Sequence, residues 1–133
     1  MTWLFADSAY YIALLLESDQ DHDRAIEIAQ TLVSPIVTTT CVLTEVANSL
    51  SAVRHRQTVV RLIDRLRANE NVRIVSSDDL TFISGVDLYR NRPDKDWSLT
   101  DCISFVVMNR EGITEALTAD HHFEQAGFNA LMR

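Results

Sequence analysis

The chain has 133 residues, enough for one compact domain that buries a core without disulfide or metal staples. Its 3 Gly and 2 Pro exclude collagen-like, low-complexity and disordered chains. The balance of 12 Lys and Arg against 19 Asp and Glu leaves a net charge of −7, too acidic to hold nucleic acid by bulk charge alone. Cys41 and Cys102 make neither a disulfide framework nor a zinc site and read as reduced thiols. The apolar run from Ala9 to Leu16 lacks the basic flank of a signal peptide and the length of a membrane span. A soluble, cytoplasmic protein with no membrane association is expected.

In chain order, Trp3 to Ala6 (WLFA) predicts a short buried strand ending at Asp7. From Ser8 a helix is marked by Ala9, Ile12, Ala13, Leu15 and Leu16. Asp21 to Val33 predicts a second helix, and Pro35 resets the chain. Ile36 to Thr40 is β-branched throughout, a second strand. Val42, Val46, Ala47, Leu50 and Val53 return to helical spacing, and Gln57 to Asn69 predicts another helix. Val72 to Val75 is a third strand, Ser76 to Asp79 cap a helix reaching Arg92, and Pro93 to Asp96 form a loop. A helix over Ser98 to Asn109 precedes a fourth strand at Glu115 to Ala119, a short helix, and a strand fragment at Ala130 to Met132. This alternation predicts an α/β fold, one domain over residues 1–133. Its central sheet is mostly parallel, of about 4–5 short strands, with helices on both faces. Ligands bind such sheets beyond the carboxyl ends of the strands.

That rule singles out four carboxylates. Asp7 and Asp120 each directly follow a strand, Glu45 lies one turn into the helix after the second strand, and Asp101 lies in the first turn of the helix opened by Ser98. Four acids from distant segments can thus converge on one edge. There they repel and raise each other's pKa unless cations sit among them. Mg²⁺ or Mn²⁺ is the natural counter-charge, since hard divalent cations take oxygen ligands. Each acid also has a purely structural reading. Asp7 can cap a helix, Ser98-Leu99-Thr100-Asp101 matches a capping box, Glu45 can face solvent, and Asp120 can serve a turn.

FADSAYY at Phe5 to Tyr11, the TTTCVLTEVANSL stretch with Glu45, WSLTDCISF around Asp101 and LTADHHFEQAGF around Asp120 resemble a PIN domain. More narrowly, they resemble the VapC-type toxins of bacterial toxin–antitoxin pairs. The resemblance covers nearly the whole chain, with all four acidic motifs in family order. It implies a single PIN-like nuclease domain and a Mg²⁺- or Mn²⁺-dependent endoribonuclease, the toxin of a type II toxin–antitoxin system. Asp7, Glu45, Asp101 and Asp120 would be the catalytic, metal-holding quartet, with Ser8 and Thr118 as supporting polar groups. It also implies a homodimer or hetero-oligomer, and a cognate antitoxin whose terminal segment lies across the active-site groove. His121 stands where many relatives carry Arg; protonated, it can contact a phosphate. Metal ions held by carboxylates lower the pKa of a bound water and orient it on phosphorus, giving 5′-phosphate and 3′-hydroxyl ends. No step needs the 2′-hydroxyl, so the chemistry does not itself exclude DNA.

Six of the 12 basic residues, Arg54, Arg56, Arg61, Arg65, Arg67 and Arg73, fall in one stretch opposed only by Asp64 and Glu70. They form a candidate phosphate-tracking patch or a solvated helix face. Arg90, Arg92 and Lys95, shortly before Asp101, are further candidate RNA contacts. His121-His122, adjacent and without a nearby Cys, reads as a surface pair rather than a transition-metal site. Tyr10, Tyr11, Phe82, Tyr89 and Phe105 fit a core or a partner-helix face better than base stacking. A phosphatase or receiver-type phosphoacceptor needs a second Asp two residues after the first, which Asp7-Ser8-Ala9 lacks. The remaining alternative is a PIN-like RNA- or protein-binding module without catalysis.

Overall fold

All three residues of the first strand, β1 (Leu4–Ala6), are buried, as expected of a strand covered on both faces. The computed structural model describes residues 2–133 and places β1 at the centre of a five-stranded sheet. After β1 the chain forms α1 (Ser8–Leu15), α2 (His22–Thr31), β2 (Ile36–Thr39), α3 (Thr40–Ser49), α4 (Val53–Ala68) and β3 (Val72–Val75). It continues through α5 (Asp79–Asn91), α6 (Leu99–Glu111), β4 (Glu115–Leu117), α7 (His121–Gln125) and β5 (Asn129–Ala130). The sheet order is β3-β2-β1-β4-β5 and every pairing is parallel, rather than mostly so. Among the described residues no helix is long and apolar enough to cross a membrane.

Topology decides where a ligand can go. The chain steps outward from β1 to β2 and β3, then crosses back to place β4 on the other side of β1. Phe5 therefore pairs with Val37 on one side and Ala116 on the other. Connections that leave neighbouring strands in opposite directions open a crevice at their carboxyl ends. Asp7 follows β1 and Thr118 follows β4, so the sequence puts polar groups at this switch point.

Several boundaries differ from the sequence expectation, among them α4, which opens at Val53 instead of Gln57, and β2, which ends at Thr39 instead of Thr40; three have a clear local reason. β4 stops at Leu117 instead of Ala119 because the Thr118 hydroxyl accepts the Asp120 N–H at 3.0 Å, a side-chain turn that competes with the ladder. The final strand is Asn129–Ala130 rather than Ala130 to Met132; beyond it, Met132 N–H bonds the Thr118 carbonyl instead. The helical period read from Leu50 to Val53 is broken. Leu50 is buried, whereas Val53 is 86% exposed and opens α4.

The core that carries the site is aromatic. Phe105 of α6 meets Trp97 edge-on at 5.0 Å and Phe123 of α7 edge-on at 4.9 Å, and Phe123 reaches Phe5 of β1 at 6.3 Å. Such pairs add about 0.5–1.5 kcal/mol beyond their burial. The Trp97 indole N–H donates to Gln125 Oε1 at 2.9 Å, which ties the loop before α6 to α7. Gly112, in the left-handed region at φ 69°, ends α6 and turns the chain into β4.

Helices α5 and α6 meet at Gly85. A methyl group there would collide with the Ile103 side chain and lie 3.3 Å from Ile103 Cα. Gly85→Ala should therefore destabilise the fold by about 1–3 kcal/mol, despite the better helix propensity of Ala. Urea unfolding checks this as a lower midpoint with an unchanged m-value.

Candidate active site

Asp7 is only 3% exposed, and its backbone N–H bonds the Leu117 carbonyl at 3.2 Å, fixing it between β1 and β4. Its carboxylate does not cap α1. Instead Oδ2 accepts the Thr118 hydroxyl at 2.8 Å. Thr118 Oγ1 in turn accepts the Asp120 N–H at 3.0 Å, so one hydroxyl joins two of the acids. Ser8 Oγ lies 3.5 Å from Asp7 Oδ1 and closer to Glu45 Oε1. Its single proton goes to Glu45.

The other acids are held by the helices that carry them. Thr39 is both the last residue of β2 and the N-cap of α3, its Oγ1 accepting Val42 N–H at 3.0 Å. With no loop between strand and helix, and Val42 and Val46 buried, Glu45 is fixed on the face toward Ser8. Asp101 completes a capping box on α6: Ser98 Oγ accepts Asp101 N–H at 3.0 Å, and Asp101 Oδ2 accepts Ser98 N–H at 3.1 Å. Asp120 caps α7, with Oδ1 accepting His122 N–H at 2.8 Å. His122 Nδ1 lies 3.1 Å from Asp101 Oδ2 and 3.4 Å from Asp120 Oδ1. The two adjacent histidines thus separate: His121 is 57% exposed at its side chain, His122 only 19%. Treating both as surface residues is corrected for His122. The signal for this was Phe123, whose burial fixes the rotation of α7 and turns the neighbouring ring inward.

The four acids share one pattern. Each has an oxygen engaged by Thr118, Ser8, Ser98 or His122. Among the described residues, the other oxygen has no hydrogen bond closer than the 3.5 Å Ser8 contact at Asp7. Burial pushes the Asp7 carboxyl up to about 7, with the charges of Asp101 and Glu45 adding to the rise and the Thr118 and Ser8 hydrogen bonds opposing it. Asp101 is also raised, chiefly by burial and then by the Asp120 charge, against the Ser98 and His122 bonds. Burial and the neighbouring Asp101 raise the Cys102 thiol to about 11, which leaves it unreactive. No three of the quartet's carboxylates come within 4.8 Å of one another among the described residues; the compact group at that spacing is Asp120, His121 and His122. All-oxygen donors at wider spacing fit a hard divalent cation that retains several waters.

A cleft of about 430 Å³ opens at Glu45 between Thr40, Cys41, Thr44, Asn48 and Thr100. A more apolar cavity of about 600 Å³, lined by Leu43, Ala47, Ile63, Leu66 and Ile74, holds none of the four acids. Of the basic residues, Arg54 and Arg56 are exposed in the first turn of α4, and no ion pair involves either among the described residues. Arg61, Arg65 and Arg67 are likewise exposed along α4, while Arg73 pairs with Glu111 at 3.1 Å. Arg90 pairs with Asp87 at 2.8 Å. Arg92 grips both oxygens of Asp94 at 3.0 Å and stacks over Trp97 at 4.9 Å. With Lys95 they border a cavity of about 600 Å³ that ends at Ser98.

The PIN domain family model matches residues 4–129, and the chain belongs to that family. Among solved structures it is similar to VapC20 of Mycobacterium tuberculosis, described as a toxin that cleaves the sarcin-ricin loop. That match has a TM-score of 0.85 and 23% identity over 94% of this chain and 95% of the other. It is also similar to FitAcB from Neisseria gonorrhoeae, at TM-score 0.66 and 13% identity over 96% of this chain and 94% of the other. A structure of FitAB bound to an IR36 DNA fragment matches at TM-score 0.68 and 13% identity, over 96% and 93%. No curated protein is significantly similar in sequence.

Asp7 binds its proton more tightly in the folded chain than in the unfolded one. Between the ordinary value of 3.8 and about 7 the folded state therefore carries the extra proton, and cation-free stability falls as pH rises through that window. Asp7→Asn should remove this loss. Without divalent cations the variant should melt on the order of 5 °C above the wild-type chain at pH 7.5, with the gap shrinking toward pH 4. Thermal melts across pH in EDTA test this; a gap independent of pH would refute it.

Proposed function

We propose that this chain is a divalent-cation-dependent endoribonuclease, the toxin of a toxin–antitoxin pair. The observation that carries the reading is the convergence of Asp7, Glu45, Asp101 and Asp120 at the switch point of a parallel sheet, each with one oxygen tethered. Family membership and the likeness to VapC20 support it. The four carboxylates would hold Mg²⁺ or Mn²⁺, which supplies Lewis acidity toward the scissile phosphodiester and a water of lowered pKa. The chain's own groups do the positioning. Thr118 holds Asp7 and Asp120 in register, Ser8 holds Glu45, and the capping box holds Asp101. The products are 5′-phosphate and 3′-hydroxyl ends.

Substrate binding falls to local charge. The N-cap of α4 is Ala52, with no side-chain cap and no acid in the first turn, where Arg54 and Arg56 stand. Cations at a helix N-terminus oppose the macrodipole, a placement that fits an anionic ligand better than it fits stability. Arg54 and Arg56 are the first candidates for the RNA backbone, with Arg90, Arg92 and Lys95 around the cavity that ends at Ser98, and His121 beside Asp120, as further contacts. The reading also includes a cognate antitoxin and assembly into a dimer or hetero-oligomer. Exposed Phe82 and Tyr89, two turns apart on one side of α5, support a protein-binding surface.

Cleavage of total cellular RNA by purified protein should require Mn²⁺ or Mg²⁺, stop in EDTA and leave 5′-phosphates. Asp7→Asn and Asp101→Asn should each lower it at least about 100-fold, more than the loss of a group that only supports a ligand. An inactive wild-type protein, folded and free of inhibitor, would favour the non-catalytic binding module. Replacing Arg54 and Arg56 together with Ala should weaken RNA binding and flatten its salt dependence by roughly two phosphate contacts. An unchanged slope of log Kd against log salt removes these residues from the RNA path.

A further inference from the structure

His122 sits where a surface histidine would not. Its ring nitrogen Nδ1 faces Asp101 Oδ2 at 3.1 Å and Asp120 Oδ1 at 3.4 Å. Among the described residues no other side chain contacts both acids. Three features fix the ring. Phe123, the next residue, is fully buried against Phe105. The His122 backbone N–H is held by Asp120 Oδ1. Gln125, one turn on, is held by Trp97.

The bond to Asp101 has a direction. A carboxylate oxygen that already accepts the Ser98 N–H accepts again from Nδ1–H, so Oδ2 is clamped from two sides while Oδ1 is left open. Nδ1 engaged in this way is not available as a cation ligand, which leaves Nε2 as the ring's free nitrogen. We propose that His122 is a positioning residue: through Nδ1–H it holds Asp101 in the orientation that offers Oδ1 to a divalent cation, and it sets the spacing between Asp101 and Asp120. This rests on the metal-site reading above. Partners that orient a ligating group typically contribute ~10–100-fold to metal affinity. The competing arrangement is a nitrogen-containing ligand set of Asp120, His121 and His122, whose candidate atoms lie within 4.8 Å. It requires a nitrogen bonded to the ion.

Mn²⁺ binding to the full chain without RNA separates these possibilities, measured by titration calorimetry and by electron spin-echo spectroscopy of the bound ion. Asn places an amide N–H close to the position of Nδ1–H, Leu removes the donor, and Gln moves it to the level of Nε2. H122L should lose ~10–100-fold in Mn²⁺ affinity while H122N stays near wild type. Mn²⁺ on the wild-type chain should show no directly bonded ¹⁴N. Should H122L fail to fold in cation-free melts, H122Q against H122N makes the same comparison between two polar side chains. Wild-type affinity in H122L and H122Q, an equal loss in H122N, or an imidazole nitrogen bonded to Mn²⁺ would overturn the proposal. Mn²⁺ bound by wild type, lost in D101N and unaffected in H122L and H122Q sinks His122 alone. No binding by wild type overturns the metal site itself, and His122 with it.

Discussion

The constraint on which the rest depends is a carboxylate held at the end of the central strand with almost no access to water. Asp7 follows a strand whose Phe5 and Ala6 are fully buried, and β1 is hydrogen-bonded on both sides, so this carboxylate cannot withdraw to solvent. An ionised group in such a place is costly unless charge or hydrogen bonds compensate it. Thr118 supplies one hydrogen bond, but Asp101 and Glu45 add like charge instead of relieving it. A sheet selected for stability alone would place an apolar or amide side chain there. The neighbouring polar residues make structural sense only as a set built around that position.

The tethering pattern removes an apparent choice between structural and chemical roles. Asp101 is a capping-box residue and Asp120 is a helix N-cap, both through one oxygen. The cap fixes the side chain's direction, and the second oxygen is left for something else. Helix capping is a means of preorganising a ligand, because it uses backbone N–H groups that no side-chain motion can displace.

Much of this was legible in the sequence because it is local. A run such as WLFA followed by Asp, or EAL followed by Thr-x-Asp, places an acid at a strand end whatever the rest of the chain does. Glu45 follows from helical spacing after the second strand, and Asp101 from the capping box opened by Ser98. What local pattern could not supply is tertiary. Whether Asp7 caps its own helix or bonds Thr118 depends on β4 lying beside β1, 111 residues away in sequence. The inward turn of His122 depends on Phe123 finding Phe105. The split between α3 and α4 depends on Leu50 being buried while Val53 is not, which a shared helical period conceals. Among the basic residues, sequence could not distinguish Arg92, gripped by Asp94, from Arg54 and Arg56, which have no ion pair among the described residues.

The position of β1 also orders events in time. Within this sheet it is made before every other strand, and its partner β4 follows only after β2 and β3, since Phe5 waits for Ala116 and Ala6 for Leu117. A chain emerging from a ribosome can pair β1 with β2 and β2 with β3 early, yet Asp7 then remains at an open sheet edge, without Thr118 or Asp120. Closing that gap is a long-range step with a large loop-closure cost, the kind that slows folding. The acidic edge is therefore complete only once β4 has docked, and a chain that stops before β4 carries β1 to β3 without the Thr118 hydroxyl that Asp7 bonds.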